Sequence, residues 1–384
     1  MALVIDGVFF QLANSGIARV WSELVPRLPR RLDMPVVFLD RTNEALTFEG
    51  VEVVPFPSYR LDQFNPADSQ LLQKICDHYK AKVFSSTYYT TPLETPSVSV
   101  VYDMIPERFD FDLAQRAWKE KETAISHALR HLCISENTRK DLLEFYTELD
   151  PAAVKISHCG VNMALFKPAP KVKVDEFRLK YKLARDYFIF VGSRDQHKNY
   201  KNSKLFFDAI DQLDSVDFDV VCVGGEPTVP KGRHAGAGQK ILRLDLSDLD
   251  LVTAYTGASA LVYPSLYEGF GLPVIEAMAS GCPVITTRRG SLGEIVGDAI
   301  LEIAGDSIDE MTAALANVRM PDTRKTLLER GKRQAATFGW DRFADAYASM
   351  VRSVAREGRS ATSRSFYRNW GKIRSIQGNV DVAF

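Results

Sequence analysis

Short apolar runs separated by amphipathic stretches set the rhythm of this chain. Runs at 3–6, 35–39, 82–86, 99–103, 131–135 and 154–158 have the length of buried strands, and at 16–29 and 113–130 apolar residues recur at helical spacing. Strands and helices in alternation predict a parallel, doubly wound sheet. Proline and lysine at 168–174 interrupt the rhythm and read as a linker. The pattern then restarts, with strands expected at 187–192, 218–224, 260–264 and 282–286 and a weaker one at 239–244. Residues 228–239 read as a loop, and beyond 324 the chain reads as helix, including the long pattern 340–356. The expected fold class is α/β, with one Rossmann-like domain over 1–167 and a second over 175–344. Open sheets of this kind carry functional loops at the carboxyl ends of their strands, so the predicted site is a cleft faced by two such edges.

Composition narrows the class. A chain of 384 residues is long enough for two cores. A formal net charge of −1 gives no basic excess, which argues against nucleic acid as a partner and confines any polyanion contact to a local patch. Cys76, Cys133, Cys159, Cys222 and Cys282 form no Cys-x-x-Cys pair and lie in or beside apolar runs, so they read as buried thiols of a reducing compartment. The first residues lack the basic region of a secretion signal, and no apolar stretch approaches the roughly 18–20 residues of a membrane span. A cytoplasmic protein is expected. One feature adds a peripheral contact with the inner face of a membrane as an alternative: Arg352, Arg356, Arg359, Arg364, Arg368, Lys372 and Arg374 stand against only Glu357 near the C-terminus. Such a run is either a solvated helical face or flexible tail, or a surface for anionic lipid or a phosphorylated acceptor.

The densest chemistry lies at 260–285. A buried strand ends at Pro264, a glycine-hinged loop presents Glu268, and Pro273 opens a helix that bears Glu276 and is closed by Gly281. The helix N-terminus offers unpaired backbone N–H groups to a phosphate, and Gly269 and Gly271 let the backbone approach it. Carboxylates beside such a site would repel the ligand unless they accepted hydrogen bonds from sugar or ribose hydroxyls. Together the groups suit a nucleotide sugar.

The Glu268-x7-Glu276 spacing resembles the signature of retaining glycosyltransferases of the GT-B fold, in particular glycosyltransferase family 4 (glycosyl transferases group 1). Further resemblances follow in order: 15–19 to the family's N-terminal glycine loop, 101–106 to its central strand and loop, 135–139 to the segment before its interdomain region, 190–193 with 198–199 to the opening of its second domain, and 338–340 to its C-terminal aromatic pair. The resemblance implies that the last helices cross back, with 345–384 completing the first, acceptor domain. It also implies retaining transfer of a sugar, mannose or glucose by family frequency, from a nucleotide-diphosphate sugar to a glycan or lipid-linked acceptor in polysaccharide biosynthesis. A sugar-nucleotide epimerase of the same fold and an inactive nucleotide-sugar-binding partner subunit are the alternatives.

Carried over residue by residue, the resemblance makes Lys198 the diphosphate lysine, Glu276 the acceptor of ribose hydroxyls and Glu268 the group that holds donor-sugar hydroxyls. Gly269, Phe270, Gly271 and Leu272 line the donor at the helix start, and Gly16 brings amides toward the diphosphate from the first domain. Ser193 stands where the family often has arginine, and Arg194 either supplies that second charge or is a surface residue. Tyr102 stands where many members have histidine; it can donate a hydrogen bond but cannot become cationic near neutral pH. Asp103 either faces the acceptor or caps the following turn. Retention in the family is attributed to front-face attack in which the departing phosphate helps take the acceptor proton, with double displacement by a carboxylate the alternative. Asp-x-Asp occurs at 110–112 and at 248–250, but both read as starts of helices, and cationic side chains with a helix terminus can do a metal's electrostatic work. Neither a metal nor another cofactor is expected.

Overall fold

Strand β1 (Leu3–Asp6) and strand β2 (Val36–Asp40) are buried along their whole length, which requires cover on both faces of the sheet. The computed structural model describes residues 1–12, 16–42, 44–60, 66–195, 200–230, 238–357 and 364–372. It divides into two units, Met1–Cys159 with Trp340–Phe384, and Gly160–Gly339.

In the first unit β3 (Glu52–Pro55), β4 (Val83–Ser86), β5 (Ser97–Val101), β6 (Ala128–Cys133) and β7 (Val154–Ile156) join β1 and β2 in a parallel sheet of order β3-β2-β1-β4-β5-β6-β7. Strand β3, missed in the sequence pattern, is a half-exposed edge that ends in Pro55. One side of the sheet packs Val4, Val37, Leu39 and Phe84 against Leu72 and Cys76. Trp21, on the helix Gly16–Leu24, meets Tyr347 edge to face at 5.7 Å. Tyr347 lies on Trp340–Glu357, whose Phe343, Tyr347, Val351 and Val354 form one buried stripe. The chain beyond Gly339 thus completes the first unit.

The helical residues 364–372 also dock here: the Tyr367 hydroxyl donates to His127 O at 3.0 Å, and its ring packs on the His127 imidazole. This part of the basic C-terminus is therefore packed structure and not a free tail, while Arg359 and Arg374 lie outside the described residues.

In the second unit β8 (Asp186–Val191), β9 (Phe218–Val223), β10 (Ile241–Leu244), β11 (Leu261–Tyr263), β12 (Val284–Thr286) and β13 (Leu301–Glu302) form a parallel sheet of order β10-β9-β8-β11-β12-β13. Phe188, Phe190, Phe206, Phe218, Val262, Ile285 and Met311 fill its core. Each such side chain contributes about 1.5–3 kcal/mol by leaving water. The expected linker at 168–174 is corrected: the boundary falls after Cys159, and Lys171–Lys180 is a helix inside the second unit with Pro170 at its N-cap. Proline there begins a helix as readily as it breaks one, because the first N–H groups have no helical partner.

All five cysteines are buried and unbridged, and burial pushes the Cys222 thiol up to about 11, so it stays protonated. No helix among the described residues is long and apolar enough to cross a membrane. Strand order reverses once in each sheet, between β1 and β4 and between β8 and β11. The crevice outside the carboxyl ends at such a reversal is where open α/β sheets bind ligands.

Candidate active site

At the β8/β11 reversal Pro264 ends the ladder after Tyr263, and the chain runs through an irregular loop to Gly271. Gly271 has φ +103°, and a Cβ on it would lie 2.8 Å from Leu292 Cδ2. Only glycine meets both demands. The helix Leu272–Ala279 starts there, with Pro273 in its first turn and Glu276 buried on its second.

Both flanks satisfy the loop's backbone. From the β12 side Thr286 donates to Tyr263 O and Thr287 to Ser265 O, each at 2.6 Å, and the Ser291 hydroxyl is shared by Glu268 O at 2.8 Å and Phe270 O at 3.0 Å. From the β8 side Asn202 Nδ2 donates to Pro264 O at 3.2 Å and Gly305 O at 2.8 Å, while Leu266 N donates to Tyr200 O at 2.7 Å. A loop without ladder bonds is thereby fixed, because its buried polar groups all but require partners. Phe270 packs edge to face on Phe338 at 5.8 Å.

Glu268 projects from this loop and meets a residue the sequence reading did not single out. Lys201 Nζ stands 2.7 Å from Glu268 Oε1 and 2.7 Å from the Tyr263 hydroxyl. Burial, and then the charge of Glu268, hold the Tyr263 phenol well above its ordinary pKa, so it remains a neutral O–H. Lys201 follows Lys198 by three residues in the sequence, and a position soon after an expected strand was the signal available for both. Lys198 itself lies outside the described residues.

The β8 end corrects one expectation. Arg194 is buried, and its guanidinium donates to Gly224 O at 2.9 Å, Thr228 O at 3.3 Å, Gly192 O at 3.4 Å and Glu226 O. It is not a surface residue; its guanidinium clamps the turn after β8 to the turn after β9. The reason is local: glycines at positive φ carry both turns away from the ladder and leave carbonyls that a planar fork can collect. Gly225 is needed for the approach, since a Cβ there would lie 2.3 Å from Gly192 O. Ser193 is committed as well, donating to Glu226 Oε1 at 2.5 Å, and Glu226 Oε2 accepts from Arg194 N.

Glu268, Gly269, Phe270, Gly271, Leu272 and Glu276 therefore share one loop and helix start, with Ser193 and Arg194 on the same sheet's carboxyl edge. Gly16, Tyr102 and Asp103 belong to the first unit. Gly16 begins the helix Gly16–Leu24. Tyr102 is buried, its hydroxyl donating to Thr87 O at 3.1 Å and accepting from Trp21 Nε1, so its one O–H proton is spent inside that unit. This corrects its expected role toward the donor. Asp103 takes the capping alternative: its Oδ1 accepts from Ile105 N at 3.0 Å.

One Asp-x-Asp pair lies at a helix start and the other in the turn before a helix. Asp248 and Asp250 lie in the first turn of Asp248–Gly257 behind a Ser247 N-cap, and Asp112 Oδ1 accepts from Ala114 N at 3.1 Å. Among the described residues no group of three or more His, Cys, Asp or Glu is placed to hold a metal ion.

Comparison with known proteins converges on one family. Residues 185–319 match the family described as Glycosyl transferases group 1. The O-antigen chain mannosyltransferase B of Escherichia coli is 26% identical over 247 residues, 62% of this chain and 64% of that protein. The O-antigen chain mannosyltransferase RfbU of Salmonella typhimurium is 26% identical over 257 residues, 63% of this chain and 66% of that protein. The matched stretch thus spans a little under two thirds of these relatives' length. Among solved structures, Anabaena Alr3699/HepE in complex with UDP and glucose superposes with a TM-score of 0.70 at 14% identity, covering 92% of this chain and 100% of that one. WaaG, a glycosyltransferase involved in lipopolysaccharide biosynthesis, does so with a TM-score of 0.69 at 15% identity, covering 91% and 99%. The shared fold is GT-B.

Proposed function

We propose that the chain is a group 1 glycosyltransferase of GT-B type that transfers a hexose, mannose or glucose, from a nucleotide-diphosphate sugar to a glycan or lipid-linked acceptor with retention of anomeric configuration. The observation that carries the reading is the fixed loop at the β8/β11 reversal, which presents the Glu268 carboxylate beside a glycine-opened helix start. That combination suits a ligand with both hydroxyls to donate and a diphosphate to be received. The mannosyltransferase relatives and the UDP complex of HepE support the donor class.

In this reading Glu268 accepts from donor-sugar hydroxyls and places the anomeric carbon, while Glu276 accepts from the ribose. The backbone N–H groups at 270–272 and Lys198 stabilise charge on the departing diphosphate. The bond from the anomeric carbon to the diphosphate breaks as the acceptor oxygen attacks the same face, and the phosphate receives the acceptor proton. No metal or other cofactor takes part. Arg364, Arg368 and Lys372, exposed and four residues apart on 364–372, suit an anionic lipid surface that would present a lipid-linked acceptor.

The test is a thermal-shift panel of UDP, GDP and their glucose and mannose conjugates, followed by product analysis with EDTA present. One conjugate should raise the melting temperature, and its α-linked sugar should appear in an α-linked product. An inverted product overturns retention, and activity lost to EDTA and restored by manganese overturns the metal-free reading. Binding to anionic vesicles that fades as salt rises is expected of the wild type and not of a variant with Gln at 364, 368 and 372.

A further inference from the structure

We propose that the first unit binds the acceptor through a terminal pyranose ring stacked on Phe9 and Tyr88, so that the acceptor is a glycan end and not a phosphorylated polyol. The inference rests on the glycosyl-transfer reading and names its second substrate. In that reading the β8/β11 reversal serves the donor, which leaves the β1/β4 reversal of the first sheet, a crevice of the same kind, for the acceptor. Beyond β1 the chain enters the short helix Val8–Leu12 through Gly7, which lies so close to β2 that a Cβ on it would meet Leu39 O at 2.7 Å. Phe10 turns back into the unit, edge to face on Phe38 at 5.4 Å. Phe9 crosses to the turn after β4: its N donates to Thr87 Oγ1 at 2.9 Å, and its ring stands 5.4 Å from that of Tyr88 at 60°.

Two rings at that angle make the walls of a corner, and the turn that carries one of them is fixed. Thr87 N donates to Asp6 O at 2.9 Å, and Ser86 Oγ accepts from Tyr88 N at 3.1 Å and Thr90 N at 3.0 Å. Tyr89 meets Tyr88 edge to face at 4.2 Å, and the Tyr102 ring backs it at 5.7 Å, tilted by 31°. Tyr89 and Tyr102 are buried, whereas Phe9 and Tyr88 are only half-buried and keep surface open. An aromatic face carries negative potential, which attracts the polarised C–H groups lining one face of a pyranose and repels a phosphate. The local charge acts in the same sense. Burial, and then the Asp103 carboxylate, hold the Tyr88 phenol well above its ordinary pKa, so it stays a neutral O–H. Lys121 is a cation on this side, and it donates to Glu107 Oε2 at 2.8 Å and Asp103 O at 3.0 Å.

The experiment compares the full chain as wild type, F9L, Y88L and Y88F, since leucine keeps apolar bulk and loses the ring face. The probes are methyl α-mannoside, methyl α-glucoside, methyl α-galactoside and myo-inositol 3-phosphate, titrated by saturation-transfer NMR. Calorimetry reads the affinity of UDP and GDP and of their glucose and mannose conjugates. At least one glycoside should bind the wild type, with the strongest transfer to the C–H groups of one ring face. F9L and Y88L should each weaken that glycoside about 10-fold, while Y88F, which keeps the ring, retains most of the affinity. Nucleotide affinity should stay at the wild-type value in all three variants. Glycoside binding unchanged in F9L and Y88L overturns the proposal, and so does myo-inositol 3-phosphate binding more tightly than every glycoside. F9L carries the comparison alone should Y88L not fold. A wild type that binds neither the nucleoside diphosphates nor their conjugates sinks the proposed function together with this inference, whereas nucleotide binding without glycoside binding sinks the inference alone.

Discussion

At the carboxyl edge of the first sheet Arg41 lies fully buried between Asp6 and Asp68, whereas at the same edge of the second sheet Lys201 and Glu268 keep part of their surface open. The two sheets reverse strand order in the same way, yet they use these charges differently. Each of Arg41's five N–H donors has a partner: Asp6 at 2.7 and 2.8 Å, Asp68 at 2.8 and 3.0 Å, and Pro57 O at 2.9 Å, with the Phe56 ring centroid 4.6 Å away. Burial opposes the charge, and the two carboxylates more than restore it, so Arg41 stays cationic. Such a network is a strut that ties β1 and β2 to the helix Pro66–His78. In the second unit the hydrogen-bond partners of the ammonium among the described residues are a phenol and one carboxylate oxygen, and the pair keeps part of its surface open. A charge at a strand end marks a site only when its partners stop short of enclosing it.

The largest effect expected from this contrast is on stability. Arg41→Leu leaves Asp6 and Asp68 buried without their cation and should cost about 3–5 kcal/mol, read from hydrogen exchange of β1, β2 and β4. Nucleotide binding by the second unit should persist. A loss under about 1 kcal/mol would mean that water reaches the network and that the contrast with Lys201 is one of degree.

Acid should discriminate next. His131 is buried on β6, its Nδ1 2.8 Å from the Ser99 hydroxyl, and burial, with Arg130 adding to it, lowers its pKa from 6.5 to about 4. The unfolded chain takes up the proton first as pH falls, so the stability this neutral ring contributes is complete above about 6.5 and is lost progressively down to about 4, a total of about 3 kcal/mol. His131→Gln should flatten that dependence in β5 and β6. An unchanged slope would assign acid sensitivity elsewhere.

Glu268→Gln tests the open side of the comparison. It should lower turnover about 100-fold, about 2.7 kcal/mol in the barrier, with little change in melting temperature. Wild-type turnover would remove Glu268 from the chemistry. The smallest effect is expected from Tyr102→Phe, which strands Trp21 Nε1 in the core at about 1–2 kcal/mol and leaves donor affinity unchanged. A weakened donor affinity would return Tyr102 to the site.

Most strands were legible because a strand buried on both faces must be written as an apolar run, and β1, β2, β8 and β9 are. Strands β3 and β13 were not, since one is a half-exposed edge and the other has two residues. Of the site, the part that lies within one loop and helix could be read, from Glu268 to Glu276, because acid, glycine and proline there answer to local geometry. The clamp that Arg194 makes could not be read: its charge was visible, but the carbonyls it collects come from a turn some thirty residues on.

The sequence by itself determined two parallel sheets, the restart between them and the glycine-hinged carboxylate loop, because strand periodicity, helix starts and glycine at positive φ are set by neighbours in the chain. Tertiary structure alone decided which charges remain available. Strand order brings Lys201 to Tyr263 and Glu268 across the β8/β11 reversal, folds Asp68 and Asp6 around Arg41, and gives the Tyr102 hydroxyl to Trp21 and Thr87. The strength of a charge or a hydroxyl depends on what surrounds it within a few ångströms, and those surroundings are assembled from segments the sequence keeps far apart.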